Sequence, residues 1–348
     1  VRTAMLTPAE LGLAVVDEEA GRLVEQRIAS AGVCGQPWLD SALAPLLARP
    51  GKRLRPALVF AAAACGSNQD FRALVDCAAS VELMHLSSLI HDDLMDSAAM
   101  RSGMPTLHVS IGPDAAVLGG DHLFAVGGSL AAGVSQQAAL AWHRGYADLC
   151  AGQIRETANR YRVDTTVGEY LAAINGKTAA LMRTSCELGA LCGGLDDSVV
   201  AALGRFGEAF GMVFQLVDDV MDIVSTEQLW RKPVQQDLAN GVYSACVLMA
   251  LGRPDSELHH LLAGDMSAEA IDRANRCAAA EGMRETLSLL ERHVRMAETA
   301  LDALPCSAAS AHLLAAPRRY VAGVLERSVA PEHRELIRSS QRTTLISA

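Results

Sequence analysis

Two clusters of aspartate carry the strongest chemical signal in this chain. One is His91-Asp92-Asp93-Leu94-Met95-Asp96; the other is Gln215-Leu216-Val217-Asp218-Asp219-Val220-Met221-Asp222. In each DDxxD the outer aspartates are four residues apart, so on a helix they stack one turn above another on one side. Like charges at that spacing repel, and each cluster interrupts apolar text that should face a core. Burying unpaired carboxylates costs several kcal/mol each, comparable with a whole stability margin. A cation partner removes the conflict. Carboxylates at one-turn spacing suit Mg²⁺, a hard ion that keeps waters and shares substrate phosphates. The motifs lie 126 residues apart, which lets them face each other across a bundle.

A basic complement accompanies them. Gly51-Lys52-Arg53-Leu54-Arg55-Pro56 places three cations just before an apolar helical segment. A helix start prefers acids, so cations there point to an anionic ligand. Asn175-Gly176-Lys177-Thr178 interrupts another helical segment; glycine weakens the helix, and a Lys-Thr pair beside a break suits phosphate oxygens. Arg101 follows the first acidic motif by five residues, and Lys232 follows the second by ten.

These groups need elements to position them, and almost every long segment has helical period. The chain has 348 residues, half of them hydrophobic, with 4% aromatics and abundant alanine. That composition favours packed helices. No alternating β-branched run is seen, so no strand is expected. Turn signals such as Gly35-Gln36-Pro37, Gly66-Ser67-Asn68 and Gly252-Arg253-Pro254-Asp255 are short punctuation rather than linkers. The expectation is an all-α fold, a single domain spanning 1–348, of about ten or more helices. Residues 1–35 read as an amphipathic N-terminal helix with Leu11, Val15, Val16, Leu23 and Ile28 on one side, and the polar end from about Arg338 reads as frayed. Asp121, after Gly119-Gly120, reads as a helix N-cap. Gly204, Gly207 and Gly211 read as close helix packing, since no strand precedes them to make a nucleotide loop.

Composition also excludes. A net charge of −10 gives no basic surface for nucleic acid. Nine cysteines without a CxxC pair argue against a disulfide framework. No HExxH pattern supports zinc. No uninterrupted apolar run reaches roughly 18 residues, so no membrane span is expected. The chain reads as cytoplasmic.

Taken in order, Gly51-Lys52-Arg53-Leu54-Arg55, His85 to Asp96, Met100-Arg101-Ser102-Gly103-Met104-Pro105-Thr106, Gly152-Gln153-Ile154-Arg155-Glu156, Gly176-Lys177-Thr178, Phe214 to Asp222 and Arg231 to Leu238 resemble the all-trans prenyl diphosphate synthases over roughly residues 40–250. The resemblance implies a helical isoprenoid-synthase bundle with a central cavity, usually a homodimer. It implies Mg²⁺-dependent, head-to-tail joining of isopentenyl diphosphate to an allylic prenyl diphosphate. Asp92, Asp96 and Asp218 are then the principal ligands of two or three Mg²⁺ ions, supported by Asp93, Asp219 and Asp222. Arg101, Lys177 and Lys232 hold the allylic diphosphate, with Thr178 and Gln215 nearby. Lys52, Arg55 and His85 hold isopentenyl diphosphate. The catalytic set is Asp92, Asp96, Asp218, Lys177 and Arg101. The product grows along the helix before the first motif, where Ser87 and Ser88 leave space and Met84 is the next floor. A product longer than C15, geranylgeranyl diphosphate first, is expected.

The chain departs from the family pattern at Ser102, where a second arginine is usual, at Val242, where a lysine is usual, and at Val234-Gln235 and Glu156. The ionisation site is whole, while the isopentenyl diphosphate site is altered. Two other classes follow from this: a terpene cyclase or other prenyltransferase that ionises a prenyl diphosphate without isopentenyl diphosphate, and a non-catalytic partner subunit.

Overall fold

The computed structural model describes residues 6–13, 18–49, 51–67, 70–101, 103–231, 233–264 and 266–346. Helices dominate: α1 Glu18–Ala31, α2 Pro37–Leu47, α3 Leu54–Ala63 and α4 Phe71–Met95 come first. A two-residue hairpin follows, β1 Met100–Arg101 against β2 Met104–Pro105. Then come α5 Leu107–Ile111, α6 Pro113–Val134, α7 Gln136–Asn159, α8 Val167–Ile174, a π-helical turn over Asn175–Ala179, and α9 Ala180–Cys192. The second half comprises α10 Asp197–Val224, α11 Glu227–Trp230, α12 Gln236–Ala239, α13 Ala245–Leu251, α14 Leu258–Leu262, α15 Ala268–Ala300, α16 Ala308–Ser328 and α17 Arg334–Ile346.

Capping residues explain many of the starts. Asp70 accepts hydrogen bonds from the amides of Arg72 and Ala73 to open α4, and Thr166 with Glu169 forms a capping box on α8. Two long helices organise the core. α4 is buried on nearly all sides and packs chiefly on α6, with α1, α3 and α9 around it. α10 packs on α9 and α15. Burial all round is why α4 reads as apolar rather than amphipathic. Side-chain-free faces bring α10 close to its neighbours: a Cβ on Gly207 would lie 2.6 Å from the Met182 carbonyl, and one on Gly211 2.5 Å from Ala179 Cα. The glycine spacing is therefore a packing feature, as the sequence indicated.

Four expectations change. Leu11 is buried in turns and not in the N-terminal helix, which is described from Glu18, and Val15 and Val16 lie outside the described residues. Gly12, at φ +80°, turns that segment into the core. The C-terminal segment does not fray at Arg338: α17 runs to Ile346 and docks on α15 through buried Ile337. The hairpin at Met100–Pro105 is a strand pair the sequence did not announce. Asp121 sits inside α6, not at its start. The glycines before it serve close packing, since a Cβ on Gly120 would lie 2.2 Å from the His91 ring.

By length and mean hydropathy α4, α6 and α10 are long and apolar enough to cross a membrane, a criterion wider than an uninterrupted run. The apolar stretches of α4 and α10 are 72% and 61% buried against the rest of the chain, that of α6 only 39%.

Candidate active site

Both acidic motifs sit at the C-terminal ends of the two central helices. Asp92 and Asp93 are in the last turn of α4, with Asp96 its C-cap; Asp218, Asp219 and Asp222 are in the last two turns of α10. The C-terminal end of a helix already carries partial negative charge. Carboxylates there are doubly unfavourable until a cation arrives.

A cavity of about 510 Å³ opens between these ends. Asp96, Glu156, Arg160, Lys177, Thr178, Gln215, Asp219 and Asp237 line it, along with Tyr170, Val242 and others. Lys177 and Thr178 reach it because of the π turn. The helix is not broken at Gly176, as the sequence suggested, but widened by one residue, a feature common at functional sites. Gly152 and Gly176 permit this: a Cβ on Gly152 would lie 2.1 Å from the Lys177 amide nitrogen. The Lys177 ammonium donates to Glu156 Oε1 at 2.6 Å. Burial disfavours its charge, but Glu156 and Asp92 outweigh that and hold it above its ordinary range.

A hydrogen-bonded chain crosses the cavity. Thr178 Oγ1 donates to Gln215 Oε1 at 2.7 Å, and Gln215 Nε2 donates to Asp219 Oδ1 at 2.8 Å. The Tyr170 hydroxyl donates to the other oxygen of Asp219. Asp222 accepts from the amides of Gln236 at 3.2 Å and Asp237 at 3.4 Å, so it caps α12. Asp93 is buried and takes Arg101 Nε at 2.6 Å. The three carboxylates expected to play supporting roles thus each have a protein group orienting them. Asp93 and Arg101 also line a separate cavity of about 380 Å³ beside α2 and α5; they do not share walls with Lys177. Asp96 accepts from Arg160 Nη2 at 2.6 Å.

Proton affinities report the conflict. Burial raises Asp92 despite Lys177, with Asp96 and Glu156 adding to the rise. Burial drives Asp219 up to about 7 against its bonds from Tyr170 and Gln215. Burial and the neighbouring Asp222, Asp219 and Asp218 raise Asp237 well above the carboxylate range. Among the described residues no three His, Cys, Asp or Glu side chains close round one point as a ready-made metal cage. Mg²⁺ does not need one, because it keeps waters and takes oxygens from a phosphate ligand. Facing carboxylates with raised proton affinity fit a divalent cation shared with such a ligand.

A second cationic region lies along α4 and the start of α3. Arg53, a left-handed residue at φ 51°, caps α3 and binds Glu25 and Glu82 at 2.5 Å each. The Arg55 Nε is buried with no hydrogen-bond partner. His85 is held neutral, first by burial and then by Arg55, Arg101 and Arg53. Arg53 is answered by Glu25 and Glu82 and Arg101 by Asp93, so the cation of this region suited to an anion is Arg55, whose Nε has no partner. Lys52 stands half-buried on the same loop. Lys232 and Ser102 lie outside the described residues.

Sequence reasoning missed Tyr170, Asp237, Arg53 with its two glutamates, and Arg160. Arg160 had a faint signal, one turn beyond Glu156 on the same helical face. Tyr170 had none, since its contact with Asp219 spans 49 residues.

An all-helical bundle carrying two aspartate-rich helix ends over one cavity is the architecture of isoprenoid synthases, and comparisons narrow it. Residues 36–279 match the polyprenyl synthetase family model. The chain is 32% identical to heptaprenyl diphosphate synthase component 2 of Geobacillus stearothermophilus, over 85% of this chain and 91% of that one. It is 34% identical to geranylgeranyl diphosphate synthase of Mycobacterium tuberculosis, over 79% and 84%. Its fold matches a polyprenyl synthase from Caulobacter crescentus, solved with calcium and isoprenyl diphosphate, at TM-score 0.83 and 25% identity, covering 92% and 99%. The chain belongs to the polyprenyl synthetase family and is a prenyl diphosphate synthase, a transferase of isoprenoid biosynthesis.

Proposed function

We propose that this enzyme condenses an allylic prenyl diphosphate with isopentenyl diphosphate, using Mg²⁺, to an all-trans product longer than C15, geranylgeranyl diphosphate first. The observation that carries it is the 510 Å³ cavity in which Lys177, Thr178 and Gln215 meet carboxylates of both motifs. Lewis-acid stabilisation of the leaving diphosphate is the chemistry bound Mg²⁺ supplies. Asp92, Asp96 and Asp218 would hold the ions. Lys177 and Thr178 bind phosphate oxygens as negative charge grows on them, where fixed charges help most. The Thr178–Gln215–Asp219–Tyr170 chain keeps that wall in one geometry. Lys52, Arg55 and His85 place the second diphosphate, so that its double bond meets the allylic cation. The released diphosphate takes the proton lost at the end.

Chain length rests on α4. Ser87 and Ser88 are buried one turn before Asp92, and Met84 is buried a turn further on. Small side chains leave room past C15. The rings of Phe124 on α6 and Trp142 and Tyr146 on α7 cluster, Phe124 and Tyr146 at 4.2 Å between centroids. Relatives are named for both heptaprenyl and geranylgeranyl products. Incubation with Mg²⁺, isopentenyl diphosphate and a C5 allylic primer, followed by chain-length analysis, tests this. Farnesyl diphosphate as sole product, with Ser87→Phe leaving length unchanged, overturns it. Hydrocarbon from geranylgeranyl diphosphate alone would instead make the chain a cyclase.

The proposed assembly is a homodimer. Val109, Ile111, Val117 and Leu118, on α5 and α6, are 36–54% exposed, an apolar surface that a second copy would cover. A monomer by light scattering refutes this part.

A further inference from the structure

We infer that Arg160 is a substrate-binding residue of the diphosphate cavity, held by Asp96 in the ligand-free enzyme and passed to a phosphate oxygen when a divalent cation takes Asp96. The inference rests on the proposed role of the cavity.

Four observations meet at this side chain. Arg160 is the C-cap of α7, so its backbone leaves the helix at the cavity rim. The next residue locks it there: Tyr161, at φ 60°, donates its amide to the Gly241 carbonyl at 2.8 Å. The ring of Tyr161 lies so close over Gly241 that a Cβ there would fall 2.5 Å from it. Arg160 is thereby fixed against the loop bearing Val242, which lines the same cavity and stands where the family resemblance has a lysine. Its guanidinium is spent on a carboxylate of the first motif, with Nη2 2.6 Å from Asp96 Oδ1, while its Nε is buried with no partner.

Charge balance gives this arrangement a purpose. Four acidic side chains, Asp96, Glu156, Asp219 and Asp237, line the cavity with two cations, Lys177 and Arg160. In the ligand-free state each cation is paired, Lys177 with Glu156 and Arg160 with Asp96. Glu156 and Arg160 stand one turn apart, so the two pairs sit side by side. Asp96, on holding a divalent ion, would release the guanidinium to a phosphate oxygen of the diphosphate. Arginine suits that exchange, because its planar fork meets carboxylate and phosphate oxygens in the same geometry. The cation absent at Val242 is supplied by Arg160 from the adjoining end of α7.

The test is calorimetric titration of the full-length enzyme with inorganic pyrophosphate in Mg²⁺, and with Mg²⁺ alone, for the parent, Arg160→Gln, Arg160→Lys and Lys177→Ala. A lost charge-assisted contact weakens pyrophosphate binding by about ten-fold or more. Arg160→Gln is expected to show that loss while binding Mg²⁺ alone as well as the parent or better, with Arg160→Lys between. A purely structural residue would not separate the two ligands. Unchanged pyrophosphate affinity in Arg160→Gln, with Lys177→Ala weakened, overturns this inference alone. Unchanged affinity in both overturns it together with the assignment of the cavity. Joint loss of both ligands with a lowered melting temperature makes Arg160 structural and also overturns it.

Discussion

Replacing Glu82 by Gln tests whether a buried charge clamp shapes the basic loop before α3. Arg53 there holds a left-handed backbone, a conformation that costs a side-chain-bearing residue about 1–3 kcal/mol. Its guanidinium makes four hydrogen bonds: Nε and Nη2 meet Glu25 at 2.5 and 2.6 Å, Nη1 meets Glu82 at 2.5 Å, and Nη2 also reaches the Arg49 carbonyl at 3.0 Å. The Arg53 and Glu82 side chains are 16% and 7% exposed, and Glu25 is 40% exposed. Glutamine keeps the volume and an acceptor but removes the charge. Deleting one partner of a buried pair costs about 3–5 kcal/mol. Glu25 still neutralises Arg53 from the half-exposed side, so the expected loss is that of one charge-assisted bond, about 1.5–3 kcal/mol. Urea unfolding of the parent and Glu82→Gln reads it directly. Because Lys52 and Arg55 flank the clamp, KM for isopentenyl diphosphate should rise more than KM for the allylic substrate. A stability change below about 0.5 kcal/mol, the range of ordinary surface substitutions, with both KM values unmoved, refutes the reasoning.

Three further outcomes are expected. In chelator, the metal-free protein should lose stability as pH rises from about 4 toward 7 through Asp219. The folded state keeps a proton there, at a pKa of about 7 against 3.8, that the unfolded chain has already released. Asp219→Asn should flatten the melting-temperature profile over that window, and an unchanged slope counts against the buried carboxyl. Gly152→Ala should destabilise by about 1–3 kcal/mol through overpacking, because the new methyl meets the backbone of the π turn; denaturant melts check this, and a neutral result would show that the turn yields. Ser87→Phe should shorten the product toward C15, read by chromatography of the dephosphorylated alcohols.

Much of the fold was legible because its signals are local. Helical period and alanine richness act within a few residues of themselves. The segments that misled are those whose state depends on distant partners. Residues near Leu11 turn because Leu11 is buried in a core dominated by α10, α15 and α16. The α17 segment, polar by itself, is ordered by docking on α15. Gly119 and Gly120 looked like a helix boundary but serve close packing inside α6, Gly119 against Leu107 and Leu43 and Gly120 against His91.

The sequence by itself determined the helical class, the two aspartate motifs with their one-turn spacing, and the order of basic elements that marks the family. Those are properties of neighbours along the chain, and one-turn repulsion between carboxylates needs no third dimension to be recognised. The tertiary structure decided which charges answer which. It set both motifs at the negative ends of helices, gave Asp93, Asp219 and Asp222 to Arg101, Tyr170 and the amides opening α12, and left Asp96 to Arg160. It also separated Arg101 from the cavity of Lys177. Coulomb energies and hydrogen bonds depend on distances of a few ångströms between residues tens of positions apart, and only the packing of α4, α7 and α10 fixes those distances.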